Sequence, residues 1–522
     1  FSCQADTQSK TGVEQAQNKQ PNIVLFLVDD MGWQDTSVAF ADEVTSANKH
    51  FRTPNMKALA QQGVKFTQAY SHSVCSPSRV SLMTGQNPTR HHVSNWTKLP
   101  DSDHSGTWGP NAAPKNWRTE GLQPSDVTLA KLLQQSGYHT IHVGKAHFGA
   151  YGTAGADPLN LGFDVNVAGH AAGAPASYWG EKDFGNNMKG AEGLPQGVPG
   201  LAEYHQQKVH LTDVLTEKAK QEITLATKTG KPFFLNMAHY AVHTPIEAHK
   251  RIIKHYQNRV YKDTQIDIPE VEENYASLVE GMDDSLGALM MHLNDLGIAE
   301  NTLVVFTSDN GTSPGSKLEP MQAKGHFSSM DYRGLKGSLY EGGHRVPFIV
   351  RWPNTVKGGT KTDHHGSLVD MMATVADITG VKLADNAGED SVSFLPVLAG
   401  KKQAETKRGV VYHSDAGYYA IAQGKWKLVL HKAGGTRRLN PKDKHNPVKE
   451  AGDIQLFNLQ IDPTERVSVH AANPEVVGNL TKLLATYVTK GRSHGEAIAN
   501  NDEIDDKSLK KWQKLLTKNV KI

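Results

Sequence analysis

Short apolar runs alternating with amphipathic stretches give the chain its first visible order. Residues 22–28 are apolar after Asn22, the pattern of a central parallel strand buried on both faces. Residues 53–63 carry a helical period ended by Gly63, and 64–70 read as the strand that follows. A second helix is predicted over 125–136, with Ser125 as its cap and Gly137 as its stop, followed by a strand over 138–143. The pattern goes on with a helix over 211–228, a strand over 232–238 and a long amphipathic helix over 275–296. Strands over 302–307 and 346–352 complete it. This alternation predicts a doubly wound α/β domain with a central, mostly parallel sheet. Residues 87–123 and 150–200 show no such period. The second, rich in Gly, Ala and Asn, reads as a large insertion over a site.

Beyond a polar connection over 396–408 the pattern changes to short strands at 409–412, 425–431 and 455–459, then a helix over 474–491. That predicts a small antiparallel sheet with a packed helix, an α+β appendage. The expected organisation is a disordered leader over 1–20, a catalytic domain over 21–395 and a C-terminal subdomain over 396–522, with 437–449 a charged solvated loop. One large and one small domain suit 522 residues. A net charge of +2 gives no whole-protein field suited to nucleic acid, and no run of apolar residues is long enough for a membrane-spanning helix. Cys3 and Cys75 are the only cysteines, so there is no disulfide framework. Phe1-Ser2-Cys3-Gln4 is a candidate remnant of a lipoprotein processing site, which would anchor a periplasmic or secreted protein through Cys3.

Polar residues recur where the apolar runs end. Asp29-Asp30, Lys145 with His147, His239 with His243, and Asp309-Asn310 each follow a predicted strand. In open α/β sheets, ligand sites lie at the carboxyl ends of strands. Adjacent carboxylates behind a buried strand are costly unless a cation neutralises them. Three carboxylates and an Asn amide oxygen are hard ligands, suited to Ca²⁺ or Mg²⁺ rather than zinc. Arg79, Lys145 and Lys336 could bind an oxyanion, and His147 and His243 could exchange protons. Together they describe a site that splits an anionic ester. Cys75 lies in Val74-Cys75-Ser76-Pro77-Ser78-Arg79, ahead of the apolar run Val80 to Met83. Ser76 is the expected N-cap of a helix there, with Pro77 in its first turn and Cys75 in the positive field of the helix start. That setting suits an activated nucleophile; a buried structural thiol is the plain alternative.

Cys75-Ser76-Pro77-Ser78-Arg79 followed by Leu82-Met83-Thr84-Gly85 resembles the signature of type I sulfatases, in which the motif cysteine is oxidised to formylglycine. The resemblance runs in order through Pro21-Asn22-Ile23-Val24, Asp29-Asp30-Met31-Gly32, Gly144-Lys145-Ala146-His147, His243-Thr244-Pro245 and Ser308-Asp309-Asn310-Gly311. It continues in Gly334-Leu335-Lys336-Gly337, Glu341-Gly342-Gly343, Arg345-Val346-Pro347, Leu456-Phe457-Asn458-Leu459 and Asp462-Pro463-Thr464-Glu465. It implies an alkaline-phosphatase-like fold and a Ca²⁺, with Mg²⁺ second, held by Asp29, Asp30, Asp309, Asn310 and the residue derived from Cys75. The hydrated aldehyde would attack sulfur and form a covalent sulfo-enzyme, and its second hydroxyl would then expel sulfate. In the same scheme Arg79 holds the nucleophile, Lys145 and Lys336 grip sulfate oxygens, His147 is the base and His243 protonates the leaving alcohol. A formylglycine-generating enzyme is the implied maturation partner.

Ala146 stands where the family often has Trp, and Asn458 replaces the commoner Asp. Residues 31–36 with Val93-Ser94-Asn95-Trp96-Thr97 resemble bacterial polysaccharide sulfatases, which points to a sulfated polysaccharide or its oligosaccharides, marine algal ulvan or carrageenan among them. The loops over 91–120 and 168–208 are the expected platforms for sugar rings. The competing readings are a formylglycine-dependent phosphodiesterase or phosphonate monoester hydrolase, a glycan-binding protein whose Cys75 stays a thiol, and a cytosolic metalloenzyme with a reactive thiol. Because a hard cation prefers oxygen, the acidic surroundings favour an oxygen nucleophile made from Cys75 over a bare thiolate.

Overall fold

The strand predicted at residue 22 is the middle of the sheet. β1 (Asn22–Val28) is buried along its whole length. It pairs in parallel with β6 (Phe233–Ala238) on one side and β7 (Thr302–Ser308) on the other, which puts Val24 between Leu235 and Val304. β4 (His139–Gly144) and β5 (Val165–Val167) extend the parallel run beyond β6. On the other side come antiparallel β8 (Phe348–Arg351), then β2 (Val64–Phe66) and β9 (Thr360–Thr362). The order of the eight strands is β5-β4-β6-β1-β7-β8-β2-β9. This computed structural model describes residues 20–102, 118–189, 193–257, 270–314, 326–353, 355–401, 408–436 and 452–495. The leader with Cys3 and the charged stretch over 437–449 lie outside them.

Alternation along β1 builds a layer on each face of the sheet. Val24, Phe26 and Val28 join the core formed with helices Leu211–Lys228 and Glu270–Asp295. Ile23, Leu25 and Leu27 join the core formed with helices Cys75–Thr84, Leu129–Gln135 and Met371–Thr379. Phe394 and Leu398 still belong to this second core. No helix among the described residues is long and apolar enough to cross a membrane.

Three local expectations change. The helix predicted from Ser125 starts at Leu129 with Thr128 as its cap. Gln123 and Asp126 close a turn on each other, so the chain is not free to become helical until Thr128. The strand predicted over 64–70 is two strands: after β2 the chain bends, and β3 (Ala69–Tyr70) pairs with β10 (Gly366–Ser367) outside the main sheet. The segment over 150–200 is more than a cover, because its β5 becomes the edge strand beside β4.

The C-terminal sheet is antiparallel, in the order β11 (Val410–His413), β12 (Tyr419–Gln423), β13 (Trp426–Val429), β14 (Gln455–Asn458). β12 is absent from the sequence reading. One face packs Ile421, Leu428 and Leu456 against Leu480 and Leu484 of helix Pro474–Lys490. The other packs Tyr412, Ala420 and Phe457 against Tyr70, Leu339 and Tyr340. At that seam the fully buried Lys427 ammonium lies 2.9 Å from Glu341 and 3.0 Å from Glu465, and Glu341 also binds Arg345 and the Tyr70 hydroxyl. Burial pushes the Glu465 carboxyl up to about 7, with Lys427 opposing it. Lys427 thus separates two buried acids. Lys427→Ala is expected to lower the unfolding free energy by about 3–5 kcal/mol, the usual effect of removing one partner of a buried ion pair. Urea unfolding followed by fluorescence measures it, and an unchanged midpoint contradicts the role.

Candidate active site

The parallel strands β4, β6, β1 and β7 are neighbours, so the residues following each meet at one edge. Asp29 and Asp30 follow β1, Lys145 follows β4, His243 lies in the loop after β6, and Asp309 and Asn310 follow β7. Gly144, with a positive φ of 100°, turns β4 into the site; a Cβ there would press on the Ala238 carbonyl. Lys145 N donates to that same carbonyl at 2.7 Å. Asp30 and His147 take positive φ angles of 63° and 55°, uncommon for residues with side chains. Asp30 is held there by its N–H on Asp309 Oδ1 at 3.2 Å, and His147 by its N–H on the His170 carbonyl at 3.1 Å.

Cys75 arrives at this edge as the first residue of its helix, with Val74 in the cap position and no side-chain capping bond. Ser76 is therefore not the N-cap. Its hydroxyl instead accepts the Thr97 N–H at 3.1 Å, which ties the helix start to the 93–97 segment. Arg79 donates through Nε to Asp309 Oδ2 and through Nη1 to the Lys145 carbonyl, both at 2.8 Å. Lys336 enters from a separate loop fixed on both sides, by Lys336 N on the Thr312 carbonyl and Gly337 N on the Ser73 carbonyl.

The side chains form one buried charge cluster. Lys145 Nζ is 2.6 Å from Asp29 Oδ2, and Lys336 Nζ is 2.5 Å from Asp30 Oδ1 and 3.0 Å from Cys75 Sγ. Cys75 Sγ is 3.6 Å from Asp29 Oδ1, and His243 Nε2 is 3.6 Å from Asp30 Oδ2. Burial and the neighbouring Asp309 push the Asp29 carboxyl up to about 7. Asp30, although equally buried, is held low by the Lys336 ammonium and His243. Burial pushes the Cys75 thiol up to about 12, with Lys145 and Lys336 opposing it. As a thiol, Cys75 is thus protonated at neutral pH, contrary to an activated thiolate. Burial, Lys145 and Arg79 hold His147 well below its ordinary value. His147 Nε2 lies 3.1 Å from the Thr97 carbonyl, so it carries the proton, and the buried Nδ1, with no hydrogen-bond partner among the described residues, keeps the lone pair.

The cluster fits a hard dication. Asp30 Oδ2 and Asn310 Oδ1 are buried oxygen acceptors without a hydrogen-bond donor among the described residues. Among the described residues, ligand atoms of Asp29, Asp30, Cys75 and His243 lie within 4.8 Å of one another. Every expected site residue reaches this cluster or its rim except His239. Period-two alternation carries His239 to the other face, where its Nε2 lies 2.8 Å from Ser285 Oγ and its ring packs on Phe26. Tyr178 and Trp179, in the expected sugar platform, are buried; Tyr178 stacks on His210 and Trp179 meets it edge-on. Residues 103–117 of the other expected platform lie outside the described residues.

The sequence reading missed a second acid–base cluster behind the site. Asp35 accepts from Gly32 N at 3.1 Å, Tyr275 OH at 2.7 Å and Thr312 Oγ1 at 3.4 Å, so it joins the loops after β1 and β7 to the helix Glu270–Asp295. His326 bridges Asp35 at 2.7 Å and Glu272 at 2.8 Å. No local pattern signals these residues; only the tertiary fold brings them together.

A family model described as Sulfatase matches residues 21–381, and one described as N-sulphoglucosamine sulphohydrolase, C-terminal, matches residues 335–490. An N-acetylgalactosamine-6-O-sulfatase of Bacteroides thetaiotaomicron is 29% identical, over 92% of this chain and 96% of that protein. A human steryl-sulfatase is also 29% identical, over 77% of this chain and 73% of its own length. The structure described as Ps i-CgsB in complex with k-i-k-neocarrahexaose superposes with a TM-score of 0.68 at 25% identity, covering 93% of this chain and 96% of that one.

Against its burial, Glu272 and Asp35 raise His326 from 6.5 to about 10. The folded chain therefore holds a proton that the unfolded chain releases above 6.5. The resulting stabilisation is whole below pH 6.5 and is lost as pH rises toward 10. The unfolding free energy from urea titrations is expected to fall across that window, by on the order of 1 kcal/mol per pH unit. In His326→Gln this decline should flatten; an equally steep decline in the variant contradicts the assignment.

Proposed function

The chain belongs to the sulfatase family of sulfuric ester hydrolases, with an alkaline-phosphatase-like fold, and we propose that it removes sulfate from a sulfated carbohydrate through an oxygen nucleophile made from Cys75. The observation that carries this reading is the setting of Cys75: a neutral, buried thiol 3.0 Å from Lys336 and 3.6 Å from Asp29, among hard oxygen ligands. A thiol is a poor partner for that cluster. Oxidation to formylglycine, by a dedicated maturation enzyme, would place a hydrated aldehyde there instead and supply the attacking oxygen.

Asp29, Asp30, Asp309 and Asn310, with the residue derived from Cys75, would hold Ca²⁺ in preference to Mg²⁺. When bound, the dication supplies Lewis acidity and leaves the site with two uncompensated positive charges, matching an anionic ester and an oxyanion nucleophile. Arg79 fixes the site's geometry by joining Asp309 to the Lys145 main chain. Lys145 and Lys336 present ammonium groups to the sulfate oxygens. His147, neutral and with Nδ1 free to accept, takes a proton from the nucleophile. The His243 side chain is 18% exposed, against 6% for Lys336 and nothing for Lys145. The site thus opens beside His243, which supports an alcohol leaving on that side; burial pushes the His243 imidazole down to about 4 against the pull of Asp30, so it serves as the proton donor once the bound anionic ester raises it again.

Two observations favour a sugar over a sterol. The sugar-sulfatase relative aligns over nearly the full length of both chains, whereas the steryl-sulfatase aligns over about three quarters of each. A structural relative binds a carrageenan oligosaccharide. The finer candidates are galacto-configured saccharides, carrageenan fragments or N-acetylgalactosamine 6-sulfate, ahead of ulvan. Such a substrate fits a periplasmic or secreted enzyme.

Release of inorganic sulfate from a panel of carrageenan, ulvan and galactosaminoglycan oligosaccharides tests the reading. Sulfate release is expected from at least one galacto-configured member, with loss of more than about 10³-fold in Cys75→Ala. EGTA should abolish turnover, and Ca²⁺ should restore it better than Mg²⁺. Faster cleavage of phosphodiesters than of any sulfate ester would establish the phosphodiesterase reading instead.

A further inference from the structure

His243 sits on a loop, not on a strand or helix, and a proton donor on a loop must be held by something else. On the sheet side, Val242 N donates to the Asp29 carbonyl at 2.8 Å and Asp29 N to the Ala241 carbonyl at 3.0 Å. On the other side stands the fully buried Tyr178. Its hydroxyl lies 2.6 Å from the Tyr240 carbonyl and 2.8 Å from the His243 carbonyl, sharing one proton between the two. Tyr178 N and Ser177 Oγ both donate to Glu247 Oε2 at 2.8 Å, and Lys182 Nζ lies 2.6 Å from Glu247 Oε1. The Tyr240 hydroxyl donates back to the Ala168 carbonyl at 3.0 Å.

Residues 168–182 therefore grip the loop over 240–247 at both ends, with His243 between the grips. Tyr178 is itself fixed: its ring stacks on His210 at 5.3 Å with planes 7° apart, and its carbonyl accepts Leu211 N at 2.8 Å. It reaches no reacting atom.

We infer that Tyr178 is a positioning residue for the His243 proton donor, and that the insertion over 168–182 is the strap setting where the leaving alcohol is protonated. This rests on the assignment of His243 as the acid. The Tyr240 carbonyl also accepts His243 N at 3.0 Å, so removing the phenolic hydroxyl strips the donor chiefly from the His243 carbonyl. The imidazole, which its Nδ1 ties to the Thr244 carbonyl of the same loop at 2.8 Å, then shifts with that loop relative to the leaving oxygen.

Tyr178→Phe keeps the stacked ring and removes only the hydroxyl. The probe is neocarrabiose 4-sulfate or N-acetylgalactosamine 6-sulfate, whichever is cleaved faster. Tyr178→Phe is expected to lower kcat by about 10–100-fold with KM within about threefold, the scale of a misplaced acid. In a His243→Ala background it should change kcat by less than about twofold, because the group it positions is gone. Glu247→Gln, which loosens the far end of the strap, should show the same dependence on His243. Equal losses in both backgrounds, or a rise in KM as large as the fall in kcat, overturn the inference while leaving the His243 assignment intact. Full activity of His243→Ala removes the assignment, and the inference with it.

Discussion

Three carboxylates and three cationic side chains share one buried edge of the sheet, and such a concentration of charge persists only if each group is held against a partner. Burying an unpaired charge costs several kcal/mol, so a small displacement in the cluster is expensive. The architecture meets this by bringing the charges in on adjacent parallel strands. Asp29, Asp30, Asp309 and Lys145 follow strands whose register is set by the core, and Arg79 comes from a helix packed on the same sheet. The residual strain is local, in the left-handed Asp30 and His147, and both are pinned by main-chain hydrogen bonds.

Each support around the cluster comes from a different part of the chain. Asp35 and His326 tie the β1 and β7 loops to the helix Glu270–Asp295. Lys427, Glu341 and Glu465 join the C-terminal sheet to the segment beyond Lys336. Tyr178 and Glu247 strap the loop carrying His243. Among the described residues, the Lys145 and Asp29 side chains have no exposed surface, whereas the His243 side chain is 18% exposed.

The parts legible in the sequence are those with a local cause. The apolar run ending in Asp29-Asp30 announces a buried strand and a metal-type edge within nine residues, 22–30. The helix Leu211–Lys228 matches its period to the residue. The same alternation rule, carried one step past Ala238, would have placed His239 on the far face. Other features depend on distant partners. Ser76 looks like a cap until Thr97 takes its hydroxyl. Tyr178 and Trp179 look like a sugar platform until the fold buries them against His210. The Asp35–His326–Glu272 cluster draws on three remote segments, none marked by composition or period. The supports were invisible for that reason, while Asp29, Asp30, Lys145, Asp309 and Asn310, each just after an apolar run, could be placed at one sheet edge.

Sulfate removal as proposed requires Cys75 to be the precursor of an oxygen nucleophile. Mass spectrometry of the peptide holding Cys75, from preparations ranked by their sulfate-releasing activity, tests it most directly. The expected result is a peptide in which sulfur and two hydrogens have been replaced by an oxygen, with or without added water, in a fraction that rises with activity. Full turnover by a preparation in which Cys75 is entirely thiol would contradict the account.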